Sequence, residues 1–229
     1  MEQKWPSQLL ILRHGESERN VAKDHAKSKG AHSYGSGLRD LDTSLTEKGH
    51  QQARTTGEHL AKDYALDAVF CSPYLRTTQT AEEILGHLGS KPLLCEERIR
   101  EMEFGILDGL TTKGLQTKYP EEFARREREG KYWYRPPGGE SRPDVALRVH
   151  SFLGTLARDY RERSLLIVCH SVVVLVFRRL LERWGEEQYL KVDAEDDVLN
   201  CSVTAYRFDH ERNKLVLDFY NKIYYKKHD

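Results

Sequence analysis

The chain has 229 residues and carries 36 Lys and Arg against 36 Asp and Glu, a formal net charge of zero. That balance supplies no global field to draw in nucleic acid or an anionic membrane surface. A mean hydropathy of −0.70, with a longest near-continuous apolar run of only 13 residues (165–177), argues against a membrane-spanning helix.

An apolar content of 38% is enough for a core at this length. Residues 1–6 show no apolar signal region, so the expected setting is cytoplasmic. Cys71, Cys95, Cys169 and Cys201 form no C-x-x-C pair. They read as reduced core residues rather than a disulfide frame or a zinc site.

In chain order, residues 8–12 form an apolar run suited to a buried strand. Residues 15–44 are polar and bear glycines; at about 30 residues this is long for a structureless connection, so it is functional or partly folded. Thr46 caps a helix running to about residue 63, with Ala53, Leu60 and Ala61 on its inner face. Residues 68–71 are a second strand. Ser72 and Pro73 then read as the N-cap and first position of a helix ending near residue 88. Residues 92–95 suit a third strand. Residues 111–130 are helical, strongly charged and broken at Pro120, and residues 135–139 are a loop. Residues 144–160 repeat apolar side chains at helical spacing through Val145, Val149, Phe152, Leu153 and Leu156. Residues 165–169 are a very apolar strand and residues 172–184 an apolar helix. Residues 203–208 and 215–219 alternate around Asn213 and read as a closing hairpin or edge pair. Strands alternating with helices predict a mainly parallel sheet covered on both faces.

In such sheets, ligands sit beyond the carboxyl ends of the strands. Arg13-His14-Gly15-Glu16 follows the first strand, Arg76 the second, and His170-Ser171 the strand at residues 165–169. A lone histidine is usually a satisfied polar residue. Three separate strand ends that supply two histidines and two arginines point instead to a phosphate, which guanidinium forks bind bidentately. The chain has no G-x-x-x-x-G-K-[ST] loop and no H-E-x-x-H or comparable metal spacing.

These residues resemble the histidine phosphatase superfamily, in the branch that includes the cofactor-dependent phosphoglycerate mutases. Residues 13–20 (RHGESERN) match its RHG-x-[ST]-x-x-N signature. Asp42 with 45–49 (LTEKG) and Gln52-Ala53 resembles its D-x-x-LT-x-x-G-x-x-QA segment. Residues 72–81 (SPYLRTTQTA), 100–105 (REMEFG) followed by Asp108-Gly109, 137–141 (PGGES) and 168–171 (VCHS) resemble four further segments, in the family's order. The resemblance covers about residues 8–208. It implies one three-layer α/β/α domain over 1–229, with a mixed, mostly parallel sheet and variable cap segments at about 20–45 and 111–136.

The resemblance makes His14 the nucleophile that becomes a phosphohistidine, its other ring nitrogen held by a backbone carbonyl, that of Gly15. Arg13, Arg76 and His170 would line the phosphate pocket, with Asn20 and the Ser171 backbone N–H as further contacts. Glu101, rather than neighbouring Glu103, fits the proton donor. No metal and no other cofactor is implied. The expected partner is a small phosphate ester, with no nucleic acid and no membrane.

The function expected on this basis is a metal-independent phosphomonoesterase. The rivals are a cofactor-dependent phosphoglycerate mutase and an inactive interaction module. Only 38 residues separate Glu101 from Glu140, short of the insertion by which the family's mutases shield the phosphohistidine. Within the long 20–45 stretch, His25, Lys27, Lys29, His32 and Arg39 read as a solvated loop. The basic and aromatic residues of 112–135 read as a charged helix face balanced by Glu121, Glu122, Glu127 and Glu129.

Overall fold

The computed structural model describes residues 3–35 and 37–226. Its organising feature is one six-stranded sheet in the order β3-β2-β4-β1-β5-β6. β1 (Gln8–Arg13) lies parallel to β4 (Ser164–Cys169), which lies parallel to β2 (Ala68–Cys71), itself parallel to the edge strand β3 (Leu93–Cys95). β5 (Val203–Asp209) runs antiparallel to β1, and β6 (Lys214–Lys222) closes the sheet as its hairpin partner. Asn213, in the turn, adopts φ +50°, a left-handed conformation that Asn tolerates better than most residues.

The central strands are buried on both sides, as parallel strands must be. Leu9, Ile11, Leu165 and Ile167 belong to one apolar cluster, while Leu10, Leu12, Leu166 and Val168 belong to the other. Helices α2 (Glu47–Asp63) and α3 (Leu75–Leu88) pack on the second face through Ala53, Leu60, Ala81 and Ile84. On the first face α6 (Arg142–Asp159) and α7 (Ser171–Glu182) pack through Val149, Phe152, Val173 and Phe177. α2, which follows β1 after the 14–46 connection, and α7, which follows β4, therefore lie on opposite faces. A crevice opens between them, at the position where open α/β sheets bind ligands. Register sharpens this: Arg13 pairs with Cys169, so His14 and His170 leave adjacent strands at the same level.

Several elements differ from the sequence reading. The 20–45 stretch is not a bare loop: it begins within α1 (Glu18–Ser28), closed by a Ser17–Asn20 capping box, and includes a short 3-10 turn at Asp40–Asp42. The basic segment is helical and broken at Pro120 as expected, forming α4 (Thr112–Lys118) and α5 (Pro120–Trp133), but α5 runs past residue 130 and is kinked where Gly130 takes φ +80°. A helix the sequence pattern did not signal, α8 (Glu186–Glu195), follows α7. Ser72 and Pro73 do not start α3; its N-cap is Tyr74, because Ser72 turns its hydroxyl to His170 instead. Ala61 is exposed rather than on the inner face of α2. All four cysteines are free, but Cys95 is exposed on the edge strand rather than in the core. Among the described residues no helix is long and apolar enough to cross a membrane.

The first turn of α2 lies directly beneath the loop after β1. A Cβ on Gly49 would come within 2.0 Å of the Glu16 carbonyl oxygen, backbone against backbone. Gly49→Ala is therefore expected to lower the unfolding free energy by about 2 kcal/mol or more, read as a lower urea midpoint. Gly154, inside α6, has no atom within 4 Å of an added Cβ. Gly154→Ala should raise stability by roughly 0.5–1 kcal/mol.

Candidate active site

Beyond the ends of β1 and β4 the backbone is pinned before any side chain is considered. The His14 N–H donates to the Cys169 carbonyl at 3.0 Å, and the His14 carbonyl accepts from the Cys201 N–H at 3.1 Å. The Asn200 side-chain amide donates to the same carbonyl at 3.1 Å. The His14 ring is 4% exposed. Its Nδ1 lies 2.7 Å from the Gly15 carbonyl oxygen. A carbonyl only accepts, so Nδ1 carries the ring proton and Nε2 keeps a lone pair. Arg76 Nε–H, at 3.2 Å, donates to that lone pair. Burial, then Arg76, then Arg13 hold the His14 pKa well below the ordinary histidine value, outweighing the Gly15 hydrogen bond. The ring is thus a neutral imidazole whose Nε2 keeps the lone pair that nucleophilic attack needs, held by Arg76 Nε–H.

Arg76 enters from the first turn of α3 and is 3% exposed. Its terminal nitrogens fork onto Asp40: Nη1 meets the Asp40 carbonyl at 2.7 Å and Oδ1 at 3.0 Å, and Nη2 meets Oδ2 at 3.1 Å. Asp40 also pairs with Arg19 at 2.9 Å, and Arg19 continues to Asp108. Arg19 stands at an unconstrained position of the 13–20 signature and Asp40 in the glycine-bearing 15–44 stretch, so no sequence pattern singles out either. Arg13 donates through Nη1 to the Val198 carbonyl, while its buried Nε has no partner among the described residues. Burial lowers the Arg13 pKa, opposed mainly by Glu101 and Asp197.

His170 is fully buried, its ring edge-on to those of Tyr74 and His14 with centroids 4.9 and 5.3 Å away. Burial, with Arg76, His14, Arg13 and Arg148 around it, holds its pKa well below the ordinary value. Ser171 begins α7, so its backbone N–H is one of the helix donors without an intrahelical partner. Asn20 is partly committed elsewhere: its Oδ1 accepts from the Ser17 N–H, the Ser17 hydroxyl and the Asn200 amide. Those three donors leave the amide nitrogen as its free end.

Glu101 and Glu103 separate clearly. Glu101 is 7% exposed and lines the cleft, and its Oε1 accepts the Met102 N–H at 2.9 Å. Burial raises its pKa above the usual carboxyl range, against the pull of Met102 N–H and Arg76. Glu103 is half exposed, bonded to Tyr74 Oη at 3.2 Å. The acid segment is clamped from outside. Arg148 donates to the Glu101 carbonyl at 3.1 Å and to Glu140 at 2.9 Å, and Glu140 accepts the Glu103 N–H at 3.0 Å. Arg148 was not singled out in the sequence, since a single arginine in an amphipathic helix has no distinguishing spacing.

The cleft over these groups has a volume of about 630 Å³ and is lined by Arg13, His14, Arg76, Glu101 and Ser171. His170 lies behind it. Three cations read as solvated or as part of a balanced helix face, Lys27, Arg126 and Lys131, also line the cleft, with Lys23 beside them. The correction follows from α1 and α5 facing each other across the opening. Burial of the Lys23 ammonium, with Lys27 and Arg13 nearby, lowers its pKa. Arg125 fits the balanced-face reading, paired with Glu122 and Glu129. Among the described residues no group of three or more His, Cys, Asp and Glu side chains is placed to hold a metal ion.

The buried histidines make stability depend on pH. In the unfolded chain both protonate below about pH 6.5, whereas in the folded chain His14 and His170 stay neutral further down. The unfolded state then binds more protons, so stability falls as pH falls below 6.5, by up to about 1.4 kcal/mol per unit for each ring. Glu101 has the opposite sign, because its folded carboxyl holds its proton above the unfolded value of 4.5. Urea unfolding should give a free energy about 2 kcal/mol lower at pH 5.5 than at pH 7.5. A His14→Gln, His170→Gln double variant should lose most of that difference, and an unchanged slope would refute the assignment.

The sequence matches the model of the histidine phosphatase superfamily (branch 1) over residues 9–220. It is 32% identical over 170 residues to phosphoserine phosphatase 1 of Hydrogenobacter thermophilus, covering 72% of this chain and 71% of that one. It is 31% identical over 195 residues to a 2,3-bisphosphoglycerate-dependent phosphoglycerate mutase of Brucella melitensis, covering 83% and 88%. A 6-phosphofructo-2-kinase/fructose-2,6-bisphosphatase of Aquarana catesbeiana is 30% identical over 204 residues, covering 88% of this chain but 38% of that protein. Among solved structures, a mycobacterial glucosyl-3-phosphoglycerate phosphatase superposes with a TM-score of 0.72 at 26% identity, covering 94% and 99% of the two chains. With the family model spanning nearly the whole chain and both histidines at the crevice of the sheet, this protein belongs to the histidine phosphatase superfamily, branch 1.

Proposed function

We propose that this protein is a phosphomonoesterase that needs no metal ion and works through a phosphohistidine on His14. The observation that carries the reading is the His14 ring itself, with its proton on Nδ1 at the Gly15 carbonyl and its Nε2 lone pair 3.2 Å from Arg76 Nε. Nε2 attacks phosphorus and the P–O bond to the leaving group breaks. Glu101, whose pKa burial raises, gives its proton to the departing oxygen. Water then attacks the phosphohistidine, Glu101 takes the water's proton, and inorganic phosphate leaves with His14 restored. Arg13 and Arg76 stabilise the charge that spreads over the transferring oxygens. His170 and the Ser171 N–H are further contacts in this reading, and Asn20 contributes its free amide end.

A small phosphate ester is the substrate class of the family's phosphatases. The cationic rim of Lys23, Lys27 and Arg126 supports an anionic one here. The four free thiols support the expected cytoplasmic setting. We read the chain as one domain whose segments 20–45 and 111–136 form the cap over the cleft. The mutase alternative draws on the similarity to phosphoglycerate mutases. Product analysis with 3-phosphoglycerate separates the two: release of inorganic phosphate supports the phosphatase, and interconversion to 2-phosphoglycerate supports the mutase.

His14→Ala should abolish turnover of p-nitrophenyl phosphate and acid-labile phosphoenzyme labelling together. Full labelling of that variant would move the nucleophile elsewhere. Activity should survive thorough chelation and be inhibited by vanadate.

Glu101→Gln should slow phosphorylation of His14 by about 10²–10⁴-fold with alkyl phosphates and far less with p-nitrophenyl phosphate, whose phenolate leaves without a proton. Single-turnover kinetics isolate this step from dephosphorylation. Glu103→Gln is the control and should show no dependence on the leaving group. An exchange of behaviours between the two variants would make Glu103 the acid.

A further inference from the structure

Ser72 is fully buried, directly after β2 and one strand away from His170. Its backbone is fixed: the N–H donates to the Val168 carbonyl at 3.1 Å, and the carbonyl accepts the Thr77 hydroxyl at 2.9 Å. The hydroxyl has two neighbours. The Tyr74 N–H lies 3.4 Å away and His170 Nε2 lies 2.8 Å away. This is why Ser72 does not cap α3.

We propose that Ser72 sets the tautomer of His170, holding the ring proton on Nδ1 so that Nδ1–H is the donor to a phosphoryl group at His14. An amide N–H can only donate, so Tyr74 takes a lone pair of the Ser72 oxygen. The Ser72 hydroxyl has one proton, and His170 Nε2 is the acceptor within reach. Donation to Nε2 makes that nitrogen the lone-pair end of the ring, and the proton then sits on Nδ1. Nδ1 is buried and has no partner among the described residues. It is thus the free end of a ring whose centroid lies 5.3 Å from that of His14.

The reverse tautomer fails twice. It leaves the buried Ser72 proton with no acceptor, and it turns a bare lone pair toward an anionic phosphoryl group. The choice matters because the ring has only one proton to place. Burial and the surrounding Arg76, His14, Arg13 and Arg148 keep His170 neutral. Ser72 acts through His170 and is a positioning residue. Its effect on rate rests on the phosphohistidine reading above, whereas the tautomer itself does not.

The test is long-range ¹H–¹⁵N correlation of the imidazole nitrogens in ¹⁵N-labelled protein, alone and with vanadate. The His170 signals are assigned by their loss in His170→Gln. Wild type should show the Nδ1–H pattern for His170. Ser72→Ala should lose that pattern, with kcat about 10-fold lower on p-nitrophenyl phosphate and little change in KM. Ser72→Thr, which keeps the hydroxyl, should retain the Nδ1–H pattern and most of the rate. An Nε2–H pattern in wild type overturns the proposal, and this measurement needs no variant to fold. A Ser72→Ala protein that keeps the Nδ1–H pattern, or loses it with no change in kcat, also overturns it. If wild type shows Nδ1–H but hydrolyses no phosphate ester, the tautomer assignment stands and the phosphatase reading fails.

Discussion

A histidine that must keep a lone pair beside two guanidiniums needs its own proton held somewhere else, and the Gly15 carbonyl holds it at 2.7 Å. Much of the local structure serves that contact. The carbonyl can face the ring because the loop after β1 folds tightly over α2, where a Cβ on Gly15 would meet the Gly49 carbonyl oxygen at 2.6 Å. The Gly15 N–H is tied to the Thr80 hydroxyl at 3.1 Å on α3. The loop is therefore fastened to both helices of one face of the sheet. Burial and the two arginines then hold the ring's pKa well below the ordinary histidine value, which is the state the proposed nucleophile needs.

Concentrated positive charge in a dry pocket is costly unless it is balanced. Here the balance comes from Asp40, which takes both terminal nitrogens of Arg76 and a further bond from Arg19. A phosphoryl dianion offers the same bidentate geometry as a carboxylate, so on the proposed function it would compete with Asp40 for the same fork. The 3-10 turn that carries Asp40 is therefore part of the electrostatics of the site, not merely a connection between α1 and α2.

Glu101, the proposed proton donor, is held on a different plan from His14. Glu101 stands in an irregular segment between β3 and α4, where no helix or strand fixes its direction. Arg148 and Glu140 supply that stiffness from α6 and from the loop before it. The result is a carboxyl buried enough to hold its proton above the usual range yet open to the cleft. Its neighbour Glu103 is held outside by the same clamp.

The alternation of apolar runs with amphipathic helices was enough to place β1, β2, β4, α2, α6 and α7. Short-range periodicity and capping determine those elements. The convergence of Arg13, His14, Arg76 and His170 was equally legible, because parallel strands deliver whatever follows them to one edge. The family resemblance singled out Glu101 over Glu103, and Glu101 is the buried one of the two that lines the cleft. Other features were decided only in three dimensions. Asp40, Arg19, Arg148 and Asn200 act across separations of dozens of residues, and no local spacing marks them. Lys27, Arg126 and Lys131 pass for solvated charge until α1 and α5 face each other across the cleft. Ser72 before Pro73 satisfies every local rule for a helix cap, yet its hydroxyl goes to His170. A buried imidazole nitrogen with no other partner outweighs a cap that the Tyr74 backbone can do without, and that competition exists only once β2 and β4 lie side by side.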